Sequence, residues 1–247
     1  MEKFELALES AEIGGGGAAV KERKISPSLR CLSFSSPSLS ERSGREALYY
    51  TLITEQDPAL KDEVIKEMEG GITTYLRKLR GGRKRRVLAV GLGNPAAVAD
   101  ALGSETVKRL SAGEKGGGYL ATMIPSVFGM TGLESASVVR GVCAEYRPDL
   151  ILSVDTLATR RAERLCRAVQ ITDDGVIPGG GVGNRREPLS EESLGVPVIS
   201  VGVPLLARAD RCAALPADLM VTPKEIDLLV PRFASALAAG IERGLFE

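Results

Sequence analysis

Val87-Leu88-Ala89-Val90-Gly91-Leu92-Gly93-Asn94 is a continuous aliphatic run that breaks at glycine, and Asp100-Ala101-Leu102-Gly103 follows shortly after. A second run of the same kind is Asp149-Leu150-Ile151-Leu152-Ser153-Val154-Asp155-Thr156-Leu157-Ala158. Apolar runs of this length, bounded by Gly or Asp, read as buried parallel strands. In an open α/β sheet the carboxyl ends of such strands face the crevice where ligands bind. Two aspartates, Asp100 and Asp155, are therefore expected at one crevice, each near the end of a different strand.

From Val87 onward strands and helices alternate, the pattern of an α/β fold with a mostly parallel sheet flanked by helices. Helices are expected near Asp100 to Leu110, over Leu133 to Tyr146 and, as a basic helix, over Thr159 to Arg167. Further strands are expected at Tyr119–Ile124, Val169–Thr172 and Val196–Val203, with Pro197 at a strand start or edge. Thr222-Pro223-Lys224-Glu225 carries the signs of a helix start, with Thr as N-cap and Pro at the first helical position, and that helix is expected to run to about Arg243. Upstream, Arg30–Phe34 and Ala47–Ile53 suit strands, and Ser33–Ser40 reads as a loop. Pro58–Lys78 has the apolar spacing of an amphipathic helix, with Gly70-Gly71 a weak point inside it. Residues 1–46 are the least regular part; Glu5-Leu6-Ala7-Leu8-Glu9 suits a short helix ended by Gly14–Gly17. One domain over residues 1–247 fits the length.

Lys plus Arg and Asp plus Glu both total 32, so no global bias toward nucleic acid or an anionic membrane exists. The basic run Arg80, Arg83, Lys84, Arg85, Arg86 has no interleaved aromatic residue and reads as a solvated linker. No long uncharged apolar span and no signal pattern is present, so a cytoplasmic protein with no membrane partner is expected. Cys31, Cys143, Cys166 and Cys212 are scattered without metal spacing, and are expected reduced, with Cys143 and Cys166 as core filler in helices. The chain has no histidine. That removes Ser-His-Asp and Cys-His triads and any His-ligated zinc, and leaves acid–base work to Asp, Glu, Lys, Tyr or Cys.

Gly91-x-Gly93-Asn94 lacks the third glycine of a dinucleotide fingerprint, and Gly175 to Asn184 lacks the Lys-Ser/Thr of a phosphate-binding loop. These segments read as tight turns, or as backbone N–H groups lining the cleft as oxyanion donors. Asp100 alone could be a helix N-terminal acid and Asp155 alone a strand-end cap. Together, two carboxylates split their pKa values, so that one stays protonated while the other activates water.

At these residues the chain resembles the germination protease family, endopeptidases that degrade small acid-soluble spore proteins. The resemblance runs from about Val87 to Ala209, through Gly91-Leu92-Gly93-Asn94, Asp100-Ala101-Leu102-Gly103, Gly129-Met130-Thr131-Gly132-Leu133-Glu134 and Arg147-Pro148-Asp149-Leu150. It continues through Val154-Asp155-Thr156-Leu157-Ala158, Gln170-Ile171-Thr172-Asp173-Asp174-Gly175, Pro178 to Asn184 and Leu194 to Pro204. It implies an α/β fold similar to that of hydrogenase-maturation proteases, two essential aspartates falling on Asp100 and Asp155, and a homo-oligomer, tetrameric in the family. It also implies a cytoplasmic setting in the spore core or forespore. A metal-free carboxylate mechanism without cofactor is expected, since the histidine-containing nickel site of the hydrogenase-maturation enzymes cannot be built here.

Asn94 and the Gly179-Gly180-Gly181 backbone, with Asn184, are the expected oxyanion and substrate-binding groups. Glu134, Arg160 and Arg164 are second candidates for substrate contact, or salt-bridged helix faces. The family's Thr-Pro-Asp-Ala-Leu-Gly-Pro block reads here as Val98-Ala99-Asp100-Ala101-Leu102-Gly103-Ser104, and its Thr-Arg-His-Leu block as Val107-Lys108-Arg109-Leu110. Such altered edges admit a regulatory binding paralogue without peptidase activity. A metal-dependent peptidase using Asp100, Asp155 and Glu134 is a third reading. The family's Asp-Leu-Ala-x-Glu segment falls on Glu5–Glu9 with only Met1 to Phe4 before it, so little room for a propeptide is expected.

Overall fold

The computed structural model describes residues 6–13, 19–38, 44–58, 61–81, 85–180, 186–212, 216 and 219–247. Along the chain come α1 (Ala7–Ile13), β1 (Lys21–Lys24), β2 (Leu29–Pro37), β3 (Glu46–Thr54), α2 (Asp62–Arg80) and β4 (Arg86–Gly91). A 3-10 turn over Val98–Asp100 leads into α3 (Leu102–Arg109), β5 (Gly113–Lys115), β6 (Gly118–Met123), α4 (Phe128–Thr131), α5 (Ser135–Tyr146) and β7 (Leu150–Thr159). A second 3-10 turn over Ala162–Arg164 precedes β8 (Ala168–Thr172), α6 (Glu191–Leu194), β9 (Val198–Arg208), α7 (Ala209–Cys212), β10 (Met220–Val221) and α8 (Ile226–Phe246).

Among the described residues the strands form one ten-stranded sheet in the order β1-β2-β3-β8-β9-β7-β4-β6-β5, with β10 on β9. Its centre, β9-β7-β4-β6, is parallel as expected. The wings are antiparallel, so the sheet is mixed rather than mostly parallel. Two of these pairs follow from hairpin-length connections: β5 turns into β6 through Gly116-Gly117, and β2 into β3, and neither leaves room for a crossover helix.

One face of the sheet is covered by α2, α3 and α8, whose Leu76, Val107, Phe233 and Leu237 share a core with Val87, Leu152 and Val201. On the other face, α5 places Val139 and Cys143 with Leu88, Val90 and Ile151. Beside it α1 places Leu6 and Leu8 against Phe34, Tyr49 and Leu157. The N-terminal segment is thus more regular than its composition suggests, because two leucines and two paired strands anchor it. The four Gly14–Gly17 residues lie outside the described residues.

Several local expectations need correction. Ser33 to Pro37 belong to β2, paired with β3 from Tyr50 to Glu46; cross-strand pairing outweighs the low strand propensity of serine and proline. Helix α2 runs unbroken through Gly70-Gly71, and Gly71 packs closely against the Leu52 side chain of β3. The basic helix over Thr159–Arg167 does not form: β7 continues to Thr159, and only Ala162–Arg164 is helical. Cys166 there sits in a turn with φ +58°, buried but not helical. Thr222 does not cap α8; its hydroxyl donates to the Leu205 carbonyl at 2.8 Å, tying the chain to β9, and the helix starts four residues later. Pro197 precedes β9 as expected. Pro204 lies inside β9 opposite Leu157, where the β7–β9 register slips by one residue.

Candidate active site

The sheet reverses its winding between β4 and β7. From β4 the chain passes through α3 on one face to β6 on one side, then through α5 on the other face back to β7 on the opposite side. Such a switch point opens a crevice at the carboxyl ends of the two strands. Asp100 follows β4, and Asp155 lies in β7.

The β4–β7 ladder ends at the pair Gly91 and Val154, after which the Leu92 N–H donates to the Val154 carbonyl at 2.9 Å. Beyond this step β7 continues on β9 alone, while the β4 chain turns away at Gly93, whose φ is +90°. Asp155 is therefore the first β7 residue past the ladder. It lies within the strand and not at its end, as sequence reading placed it, because pairing with β9 carries the strand four residues further.

Asp100 ends the 3-10 turn that lies against β7, β9 and α8. Its carboxylate accepts the Asn94 N–H at 2.7 Å, so Asn94, a candidate oxyanion group by sequence, stands beside Asp100 with its backbone amide already engaged. The Asn94 side-chain oxygen accepts the Ala96 N–H at 2.9 Å, which shapes the loop. Burial pushes the Asp100 carboxyl above the ordinary aspartate range, and the Asn94 hydrogen bond opposes part of that shift.

Two glycines let this loop close. A Cβ on Gly103, at the start of α3, would lie 2.3 Å from the Val154 carbonyl oxygen and 2.4 Å from that of Leu92. One on Gly91 would lie 2.4 Å from the Gly103 carbonyl oxygen. The glycines serve close backbone approach between α3, β4 and β7, and that contact sets where Asp100 stands.

Asp155 is 4 % exposed, and its Oδ1 accepts the Thr156 N–H at 2.9 Å. Strand alternation puts it on the face of Ile151 and Ser153, and the Ser153 hydroxyl meets that of Ser200 at 2.5 Å. In register, Asp155 pairs with Gly202 of β9, which in turn pairs with Gln170 of β8.

Glu134 precedes α5, at the carboxyl edge of the sheet, and accepts from Arg186 at 2.6 Å. Arg186 also lies over the Phe128 ring at 4.7 Å. This tether holds Arg186 at the start of α5. Gly179 has φ +67°, and the Gly180 N–H donates to the Ile177 carbonyl at 3.0 Å, closing a turn. Gly181 and Asn184 lie outside the described residues. Arg164 is buried against Glu9 and Glu12 of α1, and the Arg160 backbone N–H donates to Glu9. Sequence reading did not find Glu9, Arg186 or Gly202, because each acts through a partner far away in the chain and leaves no local period.

Among the described residues no three Asp, Glu or Cys side chains gather into a metal-ligand set, and Glu134 is committed to Arg186. The donor set for a metal-dependent peptidase on Asp100, Asp155 and Glu134 is thus not assembled. No helix among the described residues is long and apolar enough to cross a membrane.

A family model for germination protease matches residues 33–214, well over half of the chain. The chain belongs to the germination protease family. Within that family it is 34 % identical over 199 residues to a germination protease of Geobacillus sp. (strain WCH70), covering 76 % of this chain and 51 % of that protein. It is 32 % identical to one of Caldanaerobacter subterraneus subsp. tengcongensis, covering 78 % and 75 % of the two chains. It is 31 % identical to one of Bacillus cereus (strain G9842), covering 97 % and 68 %. The chain thus spans about half the length of the first of these relatives. Asp100 and Asp155 fall inside the family match, and α1 falls before it.

Proposed function

We propose that this chain is an endopeptidase that hydrolyses small acid-soluble spore proteins during germination, with Asp100 and Asp155 sharing the work on one water. The supporting observation is that Asp155 is the first β7 residue past the β4–β7 ladder, and that Asp100 closes the 3-10 turn that follows β4 and lies against β7. One aspartate, protonated, hydrogen-bonds the scissile carbonyl oxygen and then hands its proton to the leaving amine, while the carboxylate of the other takes a proton from the attacking water. The Gly179 and Gly181 backbone N–H groups and Asn184 are assigned to stabilise the oxyanion, the Gly180 N–H being engaged by the Ile177 carbonyl. The enzyme works as a cytoplasmic homo-oligomer in the spore, without cofactor.

Asp100→Asn and Asp155→Asn, each purified and checked for folding, are each expected to lower cleavage of a small acid-soluble spore protein by about 10²–10⁴-fold. Excess chelator is expected to leave wild-type cleavage unchanged. Wild-type rates in either folded variant remove that residue from the mechanism, and loss of activity with chelator restores a metal. The 4 % exposure of Asp155 favours one other reading, a binding paralogue that holds spore proteins without cutting them. A stable complex with intact spore protein and no product on prolonged incubation would establish it.

A further inference from the structure

We propose that Glu9 is a positioning residue for the aspartate site, fixing the carboxyl half of β7 so that Asp155 keeps its place in the crevice; this rests on the endopeptidase reading above. Glu9 is 1 % exposed, and burying a carboxylate is costly unless its oxygens are paired. Here both are. Oε1 accepts from the Thr159 hydroxyl and lies 3.7 Å from Arg164, and Oε2 accepts the Arg160 N–H at 2.8 Å. Arg164 is held in turn by Glu12 at 2.5 Å, and Glu12 also pairs with Arg161 at 2.9 Å. A charge buried to this degree does more than fasten a helix that already buries Leu6 and Leu8 completely. It specifies the geometry of the segment it grips.

That segment is the end of the strand carrying Asp155. Past Val154, β4 no longer pairs with β7, so one flank of Asp155–Thr159 has lost its ladder partner. Helix α1 supplies three ties to this region. Glu9 clamps Thr159 and Arg160. Leu157, two residues beyond Asp155, shares an apolar cluster with Leu6 and Leu8, and its side chain lies over Gly202, where a Cβ would be 2.6 Å away. The Ala7 N–H donates to the Gln170 side-chain oxygen at 2.8 Å, and Gln170 stands in the same cross-strand row as Gly202 and Asp155. A shift of α1 is therefore transmitted to Asp155 through its own strand and through its row.

The test compares wild type, Glu9→Gln and Glu9→Ala, with Asp100→Asn and Asp155→Asn alongside, on a small acid-soluble spore protein well below every variant's melting temperature. Glu9→Ala is expected to lower kcat by about 10- to 100-fold, the cost of a misplacement on the order of 1 Å, with KM within about threefold of wild type. Glu9→Gln, which keeps an acceptor oxygen for the Arg160 N–H, is expected to recover part of the loss. Amide hydrogen exchange at Arg160 is expected to quicken in the same order. A kcat that falls only in proportion to the folded fraction, or a loss carried by KM, reduces Glu9 to a structural residue and overturns the proposal. Should Glu9→Ala fail to fold, wild-type kcat in Glu9→Gln overturns it equally. Full activity in the two Asn variants would instead overturn the endopeptidase site itself, whatever Glu9 does.

Discussion

At the scale of the residue, Asp100 carries a cost that its surroundings impose. Burial raises its carboxyl above the unfolded value, so at neutral pH the ionised form is less favourable in the fold than in the unfolded chain. The fold is relieved of that cost as pH falls through the folded pKa and then through the ordinary aspartate value of about 3.9. Asparagine mimics the protonated form and keeps an acceptor for the Asn94 N–H. Asp100→Asn is therefore expected to melt higher than wild type at neutral pH, with the difference closing in acid; thermal melts between pH 3 and 8 read this directly. A variant that gains stability while losing activity marks a residue kept for chemistry and not for packing. The neighbouring glycines behave oppositely. Gly103→Ala forces a Cβ to within 2.5 Å of two carbonyl oxygens and a backbone nitrogen, so a loss of about 1–3 kcal/mol is expected in urea unfolding, together with lost activity.

At the scale of the element, α3 packs on β4 and β7, and Arg186 is tied to Glu134 at the start of α5. That ion pair is partly exposed, with side chains 29 % and 34 % accessible, so Arg186→Ala is expected to change stability by no more than about 1 kcal/mol. Its expected signature is a raised KM, because the Gly-rich segment loses its anchor. The elements were legible from sequence where one local pattern decides them: the aliphatic runs of β4 and β7, and the periodic apolar face of α2. They were misread where a distant partner decides them. Thr159–Arg167 has helical composition, yet Arg164 turns inward to two glutamates about 150 residues earlier in the chain, and pairing with β9 keeps β7 extended up to Thr159. Thr222 has capping chemistry, yet β10 pairing brings its hydroxyl to the Leu205 carbonyl first.

At the scale of the whole molecule, the parallel centre of the sheet followed from the alternation of strands and helices, and the antiparallel wings did not. Residues such as Ser33–Pro37 become a strand only when β3 is beside them. Asp100 and Asp155 stand out in the sequence because the apolar runs and the family resemblance converge on them, and the short helix at Glu5–Glu9 is legible too; the tie from Glu9 to the end of β7 is not, because Glu9 and Thr159 meet only in the folded sheet. Cys31, Cys143 and Cys166 are all buried, and burial pushes the Cys166 thiol up to about 12. Alkylation of these three, followed by mass spectrometry, is expected to track global unfolding and to be slow in the native protein.

Two carboxylates that share one water act as a unit, and units of this kind are non-additive. The decisive measurement is kcat/KM for spore-protein cleavage in Asp100→Asn, Asp155→Asn and the double variant, at one pH and with folding verified. Each single variant is expected to lose about 10²–10⁴-fold, and the double variant little more than the worse single. Losses that multiply in the double variant, or a single folded variant that cleaves at the wild-type rate, would contradict a shared aspartate site at the β4–β7 crevice.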